Sequence, residues 1–207
     1  MEITRDITEE EMISEFLKGE IKSERFKKEL VETLNKMGSD IDLIEHPNLR
    51  NAKQNELRKQ ILSKYRGYGE NRKLFENFPE NVNWKWARLS PGELKEVKYI
   101  DYSYWKKISS GTRSPIKAAE NIQKGLEVYN SSNEKYFQAA KYIKKGGSFP
   151  PLILVAKSMN DHLTVLEGHL RLTAYFLAAE FIPKEIDSIV GFSKMFGKWD
   201  LDYCLKE

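Results

Sequence analysis

Five consecutive residues, Glu167-Gly168-His169-Leu170-Arg171, set a carboxylate, an imidazole and a guanidinium around a glycine. They stand where an apolar run of strand composition, residues 163–166, gives way at once to a run with helical spacing. A strand that ends in glycine and turns straight into a helix exposes that helix's first backbone N–H groups. Those groups have no partner inside the helix and carry the positive end of its dipole. An anion is the natural guest. Gly168 would let the backbone come close to a ligand, and Arg171, in the first turn, could fork onto two phosphate oxygens. His169 could donate a hydrogen bond or relay a proton near neutral pH. Glu167 could hold Mg²⁺ or a ribose hydroxyl. The same residues also admit a structural reading: Glu167 and Arg171 are four apart and could pair across the helix start, and His169 could cap the strand end.

A partner for such a cradle is the loop S-S-G-T-R, residues 109–113, whose amides, with Thr112 and Arg113, could wrap the far side of a polyphosphate. It reads equally well as a helix-entry turn, with Ser114 as N-cap and Pro115 at the first helical position. Arg66, Tyr68 and Arg72 interleave basic and aromatic groups that could touch nucleic acid or form a solvated turn. His46, His162 and His169 have no metal-ligand spacing among themselves or with Cys204, so a zinc site is not expected. No G-x-x-x-x-G-K-[ST] loop and no G-x-S-x-G elbow is present.

The elements that must position these groups fall into two stretches. Residues 1–80 read as a helical N-terminal segment. Thr8 caps a helix that stops near Gly19, Phe26 to Met37 recur at helical spacing, and a third helix carries Leu57, Ile61 and Tyr65. Residues 81–207 read as a mixed domain. Trp84, Trp86, Tyr99, Tyr102, Tyr104 and Trp105 surround an expected strand at 95–100. A helix follows Pro115, and another at 133–145 should bury Phe137, Ala140 and Ile143. Residues 150–156 and 163–166 form a hairpin about a turn at 159–161, a helix runs over 169–180, and residues 186–191 form one more strand. Near the end, Phe196 and Trp199 should pack the tail onto the body. The expected class is α+β.

Composition narrows the functional classes. Hydrophobic residues are 40% and charged residues 31%, which supports a packed core. No apolar run reaches the length of a membrane span, the N-terminus is acidic rather than signal-like, and a lone cysteine suits a reducing compartment. A soluble, cytoplasmic protein is therefore expected. The net charge of +3 is uneven: residues 1–80 hold 15 basic and 17 acidic side chains, leaving 19 and 14 of the totals of 34 and 31 for the remainder. That modest basic surplus fits a nucleotide as well as nucleic acid.

The run F-P-P-L-I-L-V, residues 149–155, followed by L-E-G-H-L-R-L-T-A, residues 166–174, resembles the ParB/sulfiredoxin superfamily. Gly168, Arg171 and Ala174 match its general turn, while Glu167 and His169 match the branch resembling free-serine kinases, with D-G-H-x-R. The resemblance implies a small mixed sheet with flanking helices, and a turn that binds the phosphates of ATP, ADP or CTP. It implies Gly168, His169, Leu170 and Arg171 as nucleotide-binding residues; Thr112 and Arg113 are candidates opposite from the loop's own chemistry. His169 and Glu167 would be catalytic, with Glu167 also positioning Mg²⁺ and Glu93 or Glu96 as a rough positional match for an activating carboxylate. Sulfiredoxin carries a reactive cysteine where this chain has His169, so sulfinic-acid repair is not expected. ParB proteins have G-E-R-R at the turn. Here E-N-I-Q, residues 120–123, precedes the turn rather than following it, and no helix-turn-helix is apparent after it. Two functions follow as expectations: an Mg-dependent NTP hydrolase or small-molecule kinase, or a non-catalytic regulatory module with a DNA or protein partner. A nuclease lacks the carboxylate cluster to carry its metals.

Overall fold

The computed structural model describes residues 1–197 and 199. Its elements run β1 (Glu2–Asp6), α1 (Glu9–Ile21), α2 (Glu24–Lys36), α3 (Asp42–Glu45), α4 (Ala52–Arg66), β2 (Asn83–Leu89), α5 (Pro91–Leu94), α6 (Ser103–Ile108), α7 (Pro115–Gln123), α8 (Glu134–Lys144), β3 (Leu152–Ala156), β4 (Thr164–Glu167), α9 (His169–Leu177) and β5 (Ile186–Phe192). Among the described residues the strands form one mixed sheet of order β1-β2-β5-β3-β4, so the class is α+β.

The centre of the sheet is its parallel pair, β3 with β5, Ile153 opposite Ile189. Every residue of β3 is buried, as its unbroken apolar run L-I-L-V-A requires of a strand covered on both faces. The expected hairpin is present, with β4 antiparallel to β3 and Leu154 opposite Val165. His162, just after its turn, is exposed. On the other side β2 pairs antiparallel with β5 from Asn83–Phe192 to Leu89–Ile186. Helix α9 packs on α7 and α8, while α1, α2 and α4 form a second helical layer. Phe196 and Trp199 pack on Phe78, each with ring centroids 5.2 Å from it, and the Trp199 indole donates to the Leu74 carbonyl at 3.3 Å.

Several expectations need correction. Residues 1–80 are not all helical: β1 is an edge strand paired antiparallel to β2, so the first residues belong to the same sheet as the last. The short, exposed β1, E-I-T-R-D, offers little apolar alternation by which to be seen. Residues 95–100 are not a strand. They leave α5, whose start Ser90 and Glu93 fix with a reciprocal capping box. Lys98 makes a single parallel bridge to Thr164, after which the Tyr99 amide turns to the Arg113 carbonyl at 2.9 Å. Helix α8 buries Tyr136 and leaves Phe137 exposed. Helix α9 ends at Leu177, short of the expected residue 180. Gly19 does not stop α1, which continues to Ile21, and the reason for a glycine there lies across the interface.

Candidate functional site

The turn is built as the strand-to-helix junction required. Glu167 closes β4, Gly168 adopts φ +103° and α9 starts at His169. The first capping bond of the helix runs from the Leu172 amide to the Gly168 carbonyl at 2.8 Å. The amides of His169, Leu170 and Arg171 have no acceptor among the described residues. They are the unpaired donors that an anion would fill. Gly168 serves a different purpose from the one expected. A Cβ there would lie 2.7 Å from Leu152 Cδ2 and 2.9 Å from Arg171 Nη2, so the missing side chain admits the protein's own groups rather than a ligand.

Arg171 is likewise turned inward. It is 8% exposed, its Nη1 donates to the Pro150 carbonyl at 3.2 Å, and its Nη2 pairs with Glu167. Burial lowers its pKa to about 10, which still leaves it charged at neutral pH. The structural reading of Glu167 and Arg171 as an i,i+4 pair therefore describes their contacts, and their expected roles as metal holder and phosphate fork do not. Glu167 also explains Gly19. A Cβ on Gly19 would stand 2.8 Å from Glu167 Oε2, so the glycine lets α1 lie directly on the turn. Substituting Gly19→Ala should displace the Glu167 carboxylate and cost about 1–3 kcal/mol of stability, read from urea melts. An unchanged midpoint would mean that α1 does not press on the turn.

The second helical layer brings charge with it. Glu20, next along α1, is buried; it accepts from the Tyr65 hydroxyl and lies 3.6 Å from Arg66 Nη2. Burial raises its pKa. Arg66 is the last residue of α4, with its guanidinium over the Phe26 ring at 4.6 Å, and its Nε is buried without a partner among the described residues. His169 faces this layer. Its ring stacks on Trp105 at 4.8 Å and parallel to Tyr99 at 6.0 Å. Its carbonyl accepts from the Thr173 hydroxyl, which is bonded in turn to the Tyr99 hydroxyl at 2.7 Å. Burial first, then the charges of Arg66 and Arg25, lower the imidazole pKa to about 3, so it is neutral at pH 7. Its Nε2 has no solvent contact and no hydrogen-bond partner among the described residues.

The remaining candidates disperse. The Thr112 hydroxyl donates to the Ser109 carbonyl at 2.7 Å and accepts from the Ser114 amide at 3.2 Å. Arg113 Nε donates to the Tyr99 carbonyl at 2.7 Å, so residues 109–113 act as a helix-entry turn braced on Tyr99. Tyr68 is buried and donates to Glu9, and Arg72 holds the end of α4 through the Ser63 and Lys64 carbonyls, so neither offers itself to nucleic acid. Glu93 is engaged by the capping box and the terminal amine, and Glu96 is exposed. Cys204 lies outside the described residues. What sequence reading missed is the cationic set of Arg25, Arg66 (weighed there only with Tyr68 and Arg72 as a nucleic-acid contact or a solvated turn) and Lys135. Each sits on a different helix, and no spacing along the chain joins them.

Among the described residues no group of three metal-ligating side chains comes together, and no helix is long and apolar enough to cross a membrane. No family model matches the chain, and neither a curated protein nor a solved structure matches it.

Proposed function

We propose that the chain binds the phosphates of a nucleoside triphosphate, ATP or CTP, between the start of α9 and the layer formed by α1, α2 and α4. The observation that carries this reading is a convergence of unsatisfied donors. The amides of residues 169–171, the Arg66 Nε and the His169 Nε2 lack partners among the described residues, and the charge of Arg66 is felt at the His169 ring. Buried polar groups are rarely left unpaired without a ligand or other purpose. Arg25 adds a further cation, with no ion pair to a carboxylate among the described residues. Arg171 is balanced by Glu167, and Arg66 pairs with the buried Glu20 among the described residues.

The donor set fits phosphate oxygens and does not fit a metal held by the protein. Glu167 is committed to Arg171, and no second carboxylate joins it in a metal-ligating group among the described residues. Magnesium would arrive on the phosphates, where it keeps several waters. General-base roles for His169 and Glu167 are not favoured, because one is a sealed neutral imidazole and the other an ion-paired carboxylate. Of the two functions the resemblance implied, a ParB/sulfiredoxin-like module that responds to a bound nucleotide is better supported than a hydrolase or kinase.

Calorimetry with ATP and CTP, each with and without Mg²⁺, tests the reading. At least one is expected to bind, and Arg66→Ala should weaken it by about 1–3 kcal/mol, the range for hydrogen bonds to charged groups. If both nucleotides fail at millimolar concentration, no nucleotide site exists here.

A further inference from the structure

The rings around His169 continue away from the turn in a connected row. Trp105 stacks on His169, Tyr104 meets Trp105 edge-on at 5.0 Å, and the Tyr104 hydroxyl lies 3.0 Å from that of Tyr136. Lys135 closes the row, with its Nζ 5.9 Å from the Tyr104 ring centroid and 5.2 Å from that of Tyr136. The lysine is only partly exposed and forms no ion pair among the described residues. Arg25, reaching from α2, carries the second charge felt here, and it too is without a carboxylate partner among the described residues. Burial and the charge of Arg25 both lower the Lys135 pKa, so the two cations repel rather than relieve each other. Glu127, the carboxylate that acts on Tyr104 from this side, is exposed and makes no ion pair among the described residues. Lys135 thus stands against two tyrosine rings, with no carboxylate ion-paired to it among the described residues.

We propose that Lys135, Arg25 and the Tyr104–Tyr136 hydroxyl pair form a second subsite for the oxyanion group, phosphate or carboxylate, of a small ligand bound beside the nucleotide. The inference rests on the nucleotide reading of the turn, because the row Trp105–Tyr104–Tyr136 leads directly from His169 to Lys135. Lysine supplies a point charge to such a group, and the hydroxyl of the pair that does not donate to the other supplies one donor that either oxyanion accepts.

The test uses the full chain with two probes, inorganic phosphate and malonate, titrated with and without saturating ATP. At least one probe is expected to bind with ATP in place. The probe that binds more tightly identifies the group as phosphate or carboxylate. Lys135→Gln should weaken that probe about tenfold or more, as loss of a charge-assisted contact does, while ATP affinity stays within about threefold. Tyr104→Phe, which keeps the ring, should weaken the probe to a smaller extent. A melting curve confirms that each variant folds. Competition between ATP and the probe would place both in one site and overturn the second subsite while leaving the nucleotide reading intact. Binding of ATP with no response to either probe does the same. Loss of ATP binding with retained, Lys135-dependent probe binding overturns the nucleotide reading and keeps the anion subsite.

Discussion

Arg171→Ala is expected to destabilise the fold by about 3–5 kcal/mol, the cost of leaving a partly buried charge without its partner. The guanidinium is 8% exposed, bonded to the Pro150 carbonyl and paired with Glu167, which in turn lies against Gly19 of α1. Its removal strands the Glu167 carboxylate beneath α1 and opens the space that Gly168 leaves for it. Urea unfolding of the single variant and of the pair Glu167→Gln/Arg171→Met separates the causes. Once both charges are gone and the volume is roughly kept, most of the lost stability should return, because well-packed neutral replacements of buried pairs are often tolerated. A loss below about 1 kcal/mol in Arg171→Ala would show that the guanidinium is free for a ligand after all. The prediction also guards the nucleotide test, since weakened binding in an Arg171 variant would reflect a damaged turn. Arg66 is the side chain on which ligand contact should be judged.

Stability should also fall as the medium is acidified, with His169 contributing a defined share. Its pKa is about 3 in the fold against an ordinary 6.5, so the unfolded chain takes up a proton that the native state refuses. The contribution is complete above pH 6.5, declines as pH falls below that value and is exhausted near pH 3, where the native imidazole protonates too. Between pH 7 and pH 5 the loss should approach, and not exceed, about 2 kcal/mol. Carboxylates also titrate in the lower part of this window, so the His169 share is the difference between wild type and His169→Gln in urea melts at the two pH values. Equal slopes in the two proteins would mean that the imidazole is not held neutral by its surroundings. A bound phosphate next to Nε2 should oppose this slope, because a nearby anion favours the protonated ring. The acid sensitivity is therefore expected to shrink when ATP is present.

Much of the fold was legible along the chain because the signals are local. The buried run of β3, the hairpin to β4, the Ser114-Pro115 helix start and the Thr8 cap each lie within a few residues of their cause. The misreadings share one origin. Strand β1 is exposed on most of its length and exists because β2 offers it an edge. Residues 95–100 have strand composition but divide their backbone bonds, Lys98 between Leu163 and Val165 and Tyr99 to Arg113. Phe137 and Tyr136 are neighbours in a helical pattern, and packing against Tyr104 decides which one is buried.

The candidate site divides along the same line. That Glu167, Gly168, His169 and Arg171 occupy a strand-to-helix junction, with free amides at the start of α9, followed from composition and spacing alone. Which of them face a ligand did not. Direction belongs to what packs from elsewhere: Gly19 of α1 receives Glu167, Leu152 fills the space at Gly168, and Trp105 of α6 fixes His169. The cations that remain for an anion, Arg25, Arg66 and Lys135, come from α2, α4 and α8 and meet only in three dimensions. A short motif can set which groups are present and where the backbone turns. The charges and surfaces across from it decide what those groups can still bind, because burial and pairing spend donors that the sequence shows as available.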